Sequence, residues 1–236
     1  MRTHDEEIYT EPNYEHPKAI SEHIVERLTT EGVLLTGATV ADWGGASGEL
    51  AHLLRERTDV AEVTVFDVVD DLLAIGRESC PSDVQFRWGD VLDAETMGTD
   101  SVDISLLVGV HSIFDDPMRV FTNLIDWSRE YVVIIGLFND YDIDVWVRYR
   151  DVHKHPSDHR EPGWNMVSKH TVQQFLTSMD IASDAYTFTP IEYPTERSPV
   201  PEDPALSWTF TDAHGERLWT NGLRLLLHGE LLTIRL

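Results

Sequence analysis

Apolar residues in this chain switch between two spacings, and the switches divide it into short alternating elements. Ile20, Ile24, Val25 and Leu28 fall at helical intervals within Pro17–Glu31, where a proline in the first turn suits a helix start. Thr39–Trp43 predicts a short strand that runs into glycines, and Leu50, Leu53 and Leu54 share one face of a helix over Glu49–Arg57. Glu62–Asp67 (EVTVFD) is β-branched and predicts a strand ending in an acid. A helix is expected over Asp70–Glu78, then strands over Val84–Trp88 and Asp103–Val108, then a helix over Pro117–Ser128. Tyr131–Phe138 (YVVIIGLF) is almost unbroken apolar sequence, as in a strand buried on both faces. Alternation of strand and helix predicts an α/β domain with a parallel sheet and helices on both faces. Ligands of such sheets sit beyond the carboxyl ends of the strands.

After residue 138 the pattern changes. Tyr141–Asn165 is rich in His, Arg, Asp and Trp and reads as an insertion or cap. Ser168–Met179 predicts a helix with Ser168 as its N-cap. Strand-like runs follow at Ala185–Tyr193, Leu206–Thr211, Arg217–Thr220 and Leu231–Leu236, with a hairpin turn expected at Asp212–Gly215. Five prolines in Pro190–Pro204 predict an extended loop. Residues 1–16 read as an irregular polar arm with Tyr9 and Tyr14 as its aromatic anchors.

Composition narrows the function classes. The 236 residues suit one α/β domain with additions, and 42% hydrophobic residues mark a globular chain. Cys80 is the sole cysteine, so neither an internal disulfide nor a cysteine-based metal site is available. The opening segment MRTHDEEIYTEPN lacks the apolar core of a signal peptide, and a cytoplasmic location is the expectation. Forty-two acids against eighteen basic residues give a net charge of −24. That charge repels nucleic acid and anionic membranes, so neither is expected as a partner. The acids are scattered along the chain, which points to a whole-surface adaptation to a salt-rich, halophilic cytoplasm.

The chemistry concentrates at strand ends. Asp42-Trp-Gly44-Gly45-Ala46-Ser47-Gly48 joins the first sheet strand to a helix, and its glycines permit a sharp turn and close approach of a ligand. A dinucleotide fingerprint needs G-x-G-x-x-G, but Ala46 and Glu49 stand at its second and third glycines. An acid facing a pyrophosphate is unfavourable, whereas the sulfonium and amino-acid tail of S-adenosylmethionine suit an acidic neighbourhood. Asp67 ends the next strand, where a carboxylate can accept from ribose hydroxyls, and Val68 can pack on the adenine. Asp90 and Val91 follow the third strand and suit the adenine edge and ring. Val108-Gly109-Val110-His111 leaves the fourth strand near the expected methyl position.

DWGGASG, VFDVVDDLL, WGDVLD and LLVGVHSIFDDPM, in that order, resemble the successive motifs of class I S-adenosylmethionine-dependent methyltransferases. The resemblance covers about residues 38–138. It implies a Rossmann-like, seven-stranded, mostly parallel sheet whose last strand is antiparallel, with the C-terminal hairpin and cap as additions. It also implies one methyltransferase domain over 1–236: an N-terminal arm and helix to 35, a cofactor-binding core over 36–138, and the cap, late helix and C-terminal strands thereafter. By resemblance Gly44, Gly45, Ala46 and Gly48 hold the methionine part of the cofactor, and Asp42 and Val108 are further expected cofactor-binding residues. Asp67 would take the ribose, Val68 the adenine face, and Asp90 with Val91 the adenine edge. The family usually has glycine where this chain has Ala46.

The acceptor is expected to be a small molecule. The Asn/Asp-Pro-Pro-Tyr/Phe pattern of amino-group methylation is missing after strand four. His111 is the first candidate general base, but a structural packing role is the favoured reading. His153, His155, Asp158 and His159 match no compact metal spacing and read as a solvated cap, so no metal is expected. Trp146, Trp164 and Trp208 could line a pocket for a planar acceptor or belong to the core. An NAD(P)-dependent oxidoreductase is disfavoured by Glu49 and by the lack of Tyr-x-x-x-Lys near the fourth and fifth strands. A non-catalytic binding module on the same fold is the remaining alternative. The charge pattern makes salt the first test. Unfolding followed against KCl should show greater stability at multimolar salt than at about 0.1 M, where screening is weak. Equal or greater stability in dilute salt sinks the halophilic reading.

Overall fold

The computed structural model describes residues 9–148, 163–191, 208–211, 217–220 and 229–236, with 163, 164, 208–211, 217–220 and 229 described in backbone only. The strands are β1 (Thr39–Trp43), β2 (Glu62–Asp67), β3 (Gln85–Trp88), β4 (Val102–Val108), β5 (Ser128–Asn139), β6 (Val145–Arg148), β7 (Gly163–Ser168), β8 (Tyr186–Pro190), β9 (Trp208–Thr211), β10 (Arg217–Thr220) and β11 (Gly229–Arg235). The helices are α1 (Ala19–Thr30), α2 (Glu49–Arg57), α3 (Asp70–Ser79), α4 (Pro117–Trp127) and α5 (Lys169–Ser178). The main sheet runs β3-β2-β1-β4-β5-β11-β8. Pairs β3 to β5 are parallel, and β11 lies antiparallel to both β5 and β8. These seven strands have the expected mostly parallel arrangement with an antiparallel last strand, and β6 and β7 attached off this path bring the sheet to nine strands.

Two apolar layers follow from strand alternation. Val40, Ile104, Leu106, Val133 and Ile135 pack with α1, α2 and α3. Their neighbours Ala41, Trp43, Leu107, Val132 and Ile134 pack with α4 and α5. Both faces are thus covered, which is why β5 reads as continuous apolar sequence. Two N-caps use side chains: Asp116 accepts from Arg119 N, with Pro117 next to it, and Ser168 accepts from His170 N.

The second half differs from its sequence reading in detail. The expected cap opens with β6, which pairs antiparallel with β7, and β7 joins the end of β5 in parallel. The expected strand over Tyr131–Phe138 begins three residues earlier, directly at the end of α4. β9 and β10 form an antiparallel pair, while the Asp212–Gly215 turn lies outside the described residues. The same holds for the core of the proline-rich segment and for His153, His155, Asp158 and His159. Among the described residues no cluster of His, Cys, Asp or Glu is arranged to hold a metal. No helix among them is long and apolar enough to cross a membrane.

His111 takes the packing role of its two readings. It begins a 3-10 turn after β4 and is fully buried. Its ring stacks on Phe138 at 4.8 Å and faces Leu137 O through Nε2 at 3.3 Å. It also fills the space over Gly136, where an added Cβ would lie 1.9 Å from its Cε1. Burial pulls its pKa down to about 4, so it stays neutral at ordinary pH. His111 is a packing residue, and its packing explains why β5 carries a glycine at its centre. Gly136→Ala should cost about 1–3 kcal/mol in denaturant unfolding through overpacking. The same change in a His111→Ala background should cost much less. Equal penalties in both backgrounds would separate the two residues.

Candidate functional site

β1 ends in a turn that the backbone could make only with its glycines. Gly44 and Gly48 have φ of +72° and +86°, and an added Cβ would meet Val110 and the Phe86 ring, each at 2.7 Å. Gly45 passes directly over Asp42, so a Cβ there would lie 2.4 Å from Asp42 Oδ2. Ala46 takes φ +50°, left-handed although it carries a side chain. That conformation costs about 1–2 kcal/mol. It is held by a 3.0 Å hydrogen bond from Ala46 N to Asp67 Oδ2. Asp67 Oδ1 accepts from Val69 N at 3.0 Å, so one carboxylate binds the turns after β1 and β2 together.

Above this turn lies a cavity of about 550 Å³ at the carboxyl ends of β1, β2 and β4. Asp42, Gly44, Gly45, Ala46, Asp67, Val68, Asp90, Val91 and Val108 line it, whereas Gly48 shapes the turn from outside the wall. Asp90 Oδ1 accepts from Leu92 N at 2.9 Å, which fixes its loop. Glu49 is turned toward the N-terminal arm: its Oε1 accepts from Lys18 N at 2.9 Å. His111 is absent from the wall. Trp146 is half exposed and donates toward Asp115 O at 3.4 Å, also away from the cavity. The side chains of Trp164 and Trp208 lie outside the described ones.

Sequence reading had missed the arm as a wall. Tyr9, Pro12 and His16 line the cavity, with Ile113, Phe114 and Gly136 on another side. The arm is tied to the glycine turn by Tyr14 OH donating to Ser47 O at 2.7 Å and Ser47 Oγ donating to Tyr9 O at 3.1 Å. The two tyrosines were visible as anchors, but nothing in the pattern said what they anchor to.

Asp42 is the electrostatic feature of the site. It is 2% exposed, and its Oδ2 has no hydrogen-bond partner among the described residues. Burial first, and the nearby Asp67 charge second, push its pKa up to about 7. Burial also raises Asp67, opposed by its backbone hydrogen bonds.

The architecture recurs in solved structures. A putative methyltransferase in complex with the Haloferax volcanii Trm112 methyltransferase activator shares the fold at a TM-score of 0.59 and 14% identity, over 92% of this chain and 88% of that one. Magnesium protoporphyrin IX methyltransferase from Synechocystis, solved with bound S-adenosylhomocysteine, aligns at 0.54 and 11%, over 91% and 81%. An O-methyltransferase family protein from Burkholderia thailandensis aligns at 0.55 and 13%, over 92% and 56%. The fold is that of the class I methyltransferases. No protein-family model matches the sequence, and no curated protein matches it. At these identities the likeness is one of methyltransferase fold alone.

The raised Asp42 pKa has a sign. The native state holds a proton that the unfolded chain has released between about pH 4 and pH 7, so this group's contribution to stability falls as pH rises through that window. Buried His111 acts oppositely between about pH 4 and 6.5, so the whole protein can hide both slopes. Unfolding of Asp42→Asn against wild type isolates one of them. The variant's relative stability should climb as pH rises from about 4 to 7. A difference that does not move with pH would show an ordinary Asp42 carboxyl.

Proposed function

We propose that the protein is an S-adenosylmethionine-dependent methyltransferase acting on a small-molecule acceptor. The observation that carries this reading is the buried Asp42 carboxyl with an unpartnered oxygen beneath a glycine turn, in a cavity that also holds Asp67 and Asp90. Such a wall favours a cationic ligand and disfavours the pyrophosphate of a dinucleotide. The residues present fit the cofactor. Asp42, Gly44, Gly45 and Ala46, with Gly48 shaping the turn and Val108 at the end of β4, would hold its amino-acid end. Asp67 would accept from the ribose; Val68 and Val91 would sandwich the adenine; Asp90 would take its edge.

When bound, S-adenosylmethionine supplies an electrophilic methyl group on a positively charged sulfur. The chain's own contribution is positioning and exclusion of water. Val110, Ile113, Phe114 and Ile135 form an apolar wall beside the glycine turn. An acceptor held there is stripped of water and brought into line with the methyl group, which is the main rate-giving effect in a direct displacement. His111 takes no part as a base because it neither reaches the cavity nor ionises readily. The small-molecule acceptor is supported by the size of the cavity, which falls within the range of small-ligand pockets.

Calorimetry with S-adenosylhomocysteine and with NAD tests the reading. S-adenosylhomocysteine should bind and NAD should not. Binding of NAD alone refutes the methyltransferase, and binding of neither favours a non-catalytic module. Asp67→Ala should weaken S-adenosylhomocysteine about a hundredfold, from loss of charge-assisted hydrogen bonds and of the turn they hold. Unchanged affinity would remove Asp67 from the site.

A further inference from the structure

The cavity wall carries four carboxylates, Glu11, Glu49, Asp67 and Asp90, and the buried Asp42 carboxyl, which holds its proton up to about pH 7. That charge suits a sulfonium and an ammonium group. It is hostile to the third charge of the same ligand, the carboxylate of its amino-acid end, which must lose water and find a cation. Among the described residues that line the cavity, Lys18 is the one with a permanent positive charge. One contact places its backbone and another its ammonium group. Its backbone N donates to Glu49 Oε1 at 2.9 Å, which sets it against the first residue of α2, just after the glycine turn. Its ammonium group lies 4.9 Å from the centre of the Tyr9 ring, another cavity-lining residue of the arm. Lys18 is exposed, and its flexible stem leaves the ammonium free to exchange an aromatic face for a carboxylate.

We propose that Lys18 binds the carboxylate of the cofactor's amino-acid end, so that the N-terminal arm reads that end of the ligand. The inference rests on the S-adenosylmethionine reading above and adds a specificity residue to it. Glu49 has a defined part in this: by accepting from the arm backbone it carries Lys18 to the glycine turn. Tyr9 holds the ammonium close to the cavity before the ligand arrives. The acidic wall and this one cation among the described lining residues then match a ligand bearing two positive charges and one negative charge.

The test compares S-adenosylmethionine with decarboxylated S-adenosylmethionine, which keeps the sulfonium and the amine and lacks only the carboxylate. Affinities of both are measured by calorimetry for wild type, Lys18→Met and Lys18→Arg. Wild type should prefer the intact cofactor by about tenfold, the size of one charge-assisted hydrogen bond. Lys18→Met should lose that preference while binding the decarboxylated form within about twofold of wild type, and Lys18→Arg should retain it. A preference that survives in Lys18→Met overturns the proposal. So does an equal loss for both ligands, which would mark Lys18 as a support for the arm only. Failure of wild type to bind either ligand would instead bring down the cofactor reading itself.

Discussion

The Asp67 carboxylate is the joint on which the ligand-facing end of the sheet depends. One of its oxygens holds Ala46 N and the other holds Val69 N, so the turns after β1 and β2 cannot move independently. The strained backbone of Ala46 persists because this bond over-determines it. Without the carboxylate, two backbone N–H groups would lose their partner, each at about 1–3 kcal/mol. The turn so held runs over Asp42 and leaves no room for a side chain at residue 45. The unpaired Asp42 oxygen is therefore a product of the same geometry: the loop that covers it offers it no donor.

A second constraint ties the arm to this joint. Tyr14, Ser47 and Glu49 link residues 9–18 to the glycine turn through hydrogen bonds in both directions. A wall of the cavity is thus built from sequence that precedes the sheet. Another part of the wall comes from the ends of β4 and β5, where His111 fills the space over Gly136.

Much of the fold was legible because strand and helix spacing differ clearly from α1 to β5, and because the acids at the strand ends lie in the wall of the cavity beyond them. Asp67 and Asp90 could be placed from the sequence since each ends a short β-branched or aromatic run. The role of Asp67 as a brace for Ala46 could not, because that bond crosses from one loop to another. His111 lies next to the ligand end in the chain, but its side chain turns back over Gly136, and only the three-dimensional packing separates its two readings. A glycine in the middle of an otherwise bulky buried strand was the signal that something large packs there. β6 and β7 were hidden because short strands joined to the end of another strand leave little period of their own.

Trp43 carries a consequence of an optical kind. It lines the cavity, yet its ring is stacked 4.3 Å from Phe66 and 4.7 Å from Trp127, with its indole N–H directed at Ser105 Oγ. Two indoles so close and nearly parallel, at 24°, couple their electronic transitions. The pair gives the folded chain a near-ultraviolet circular dichroism signature that an unfolded chain lacks. Because one member borders the ligand space and the other caps the helix layer behind it, that signal joins the site to the core in a single spectroscopic band.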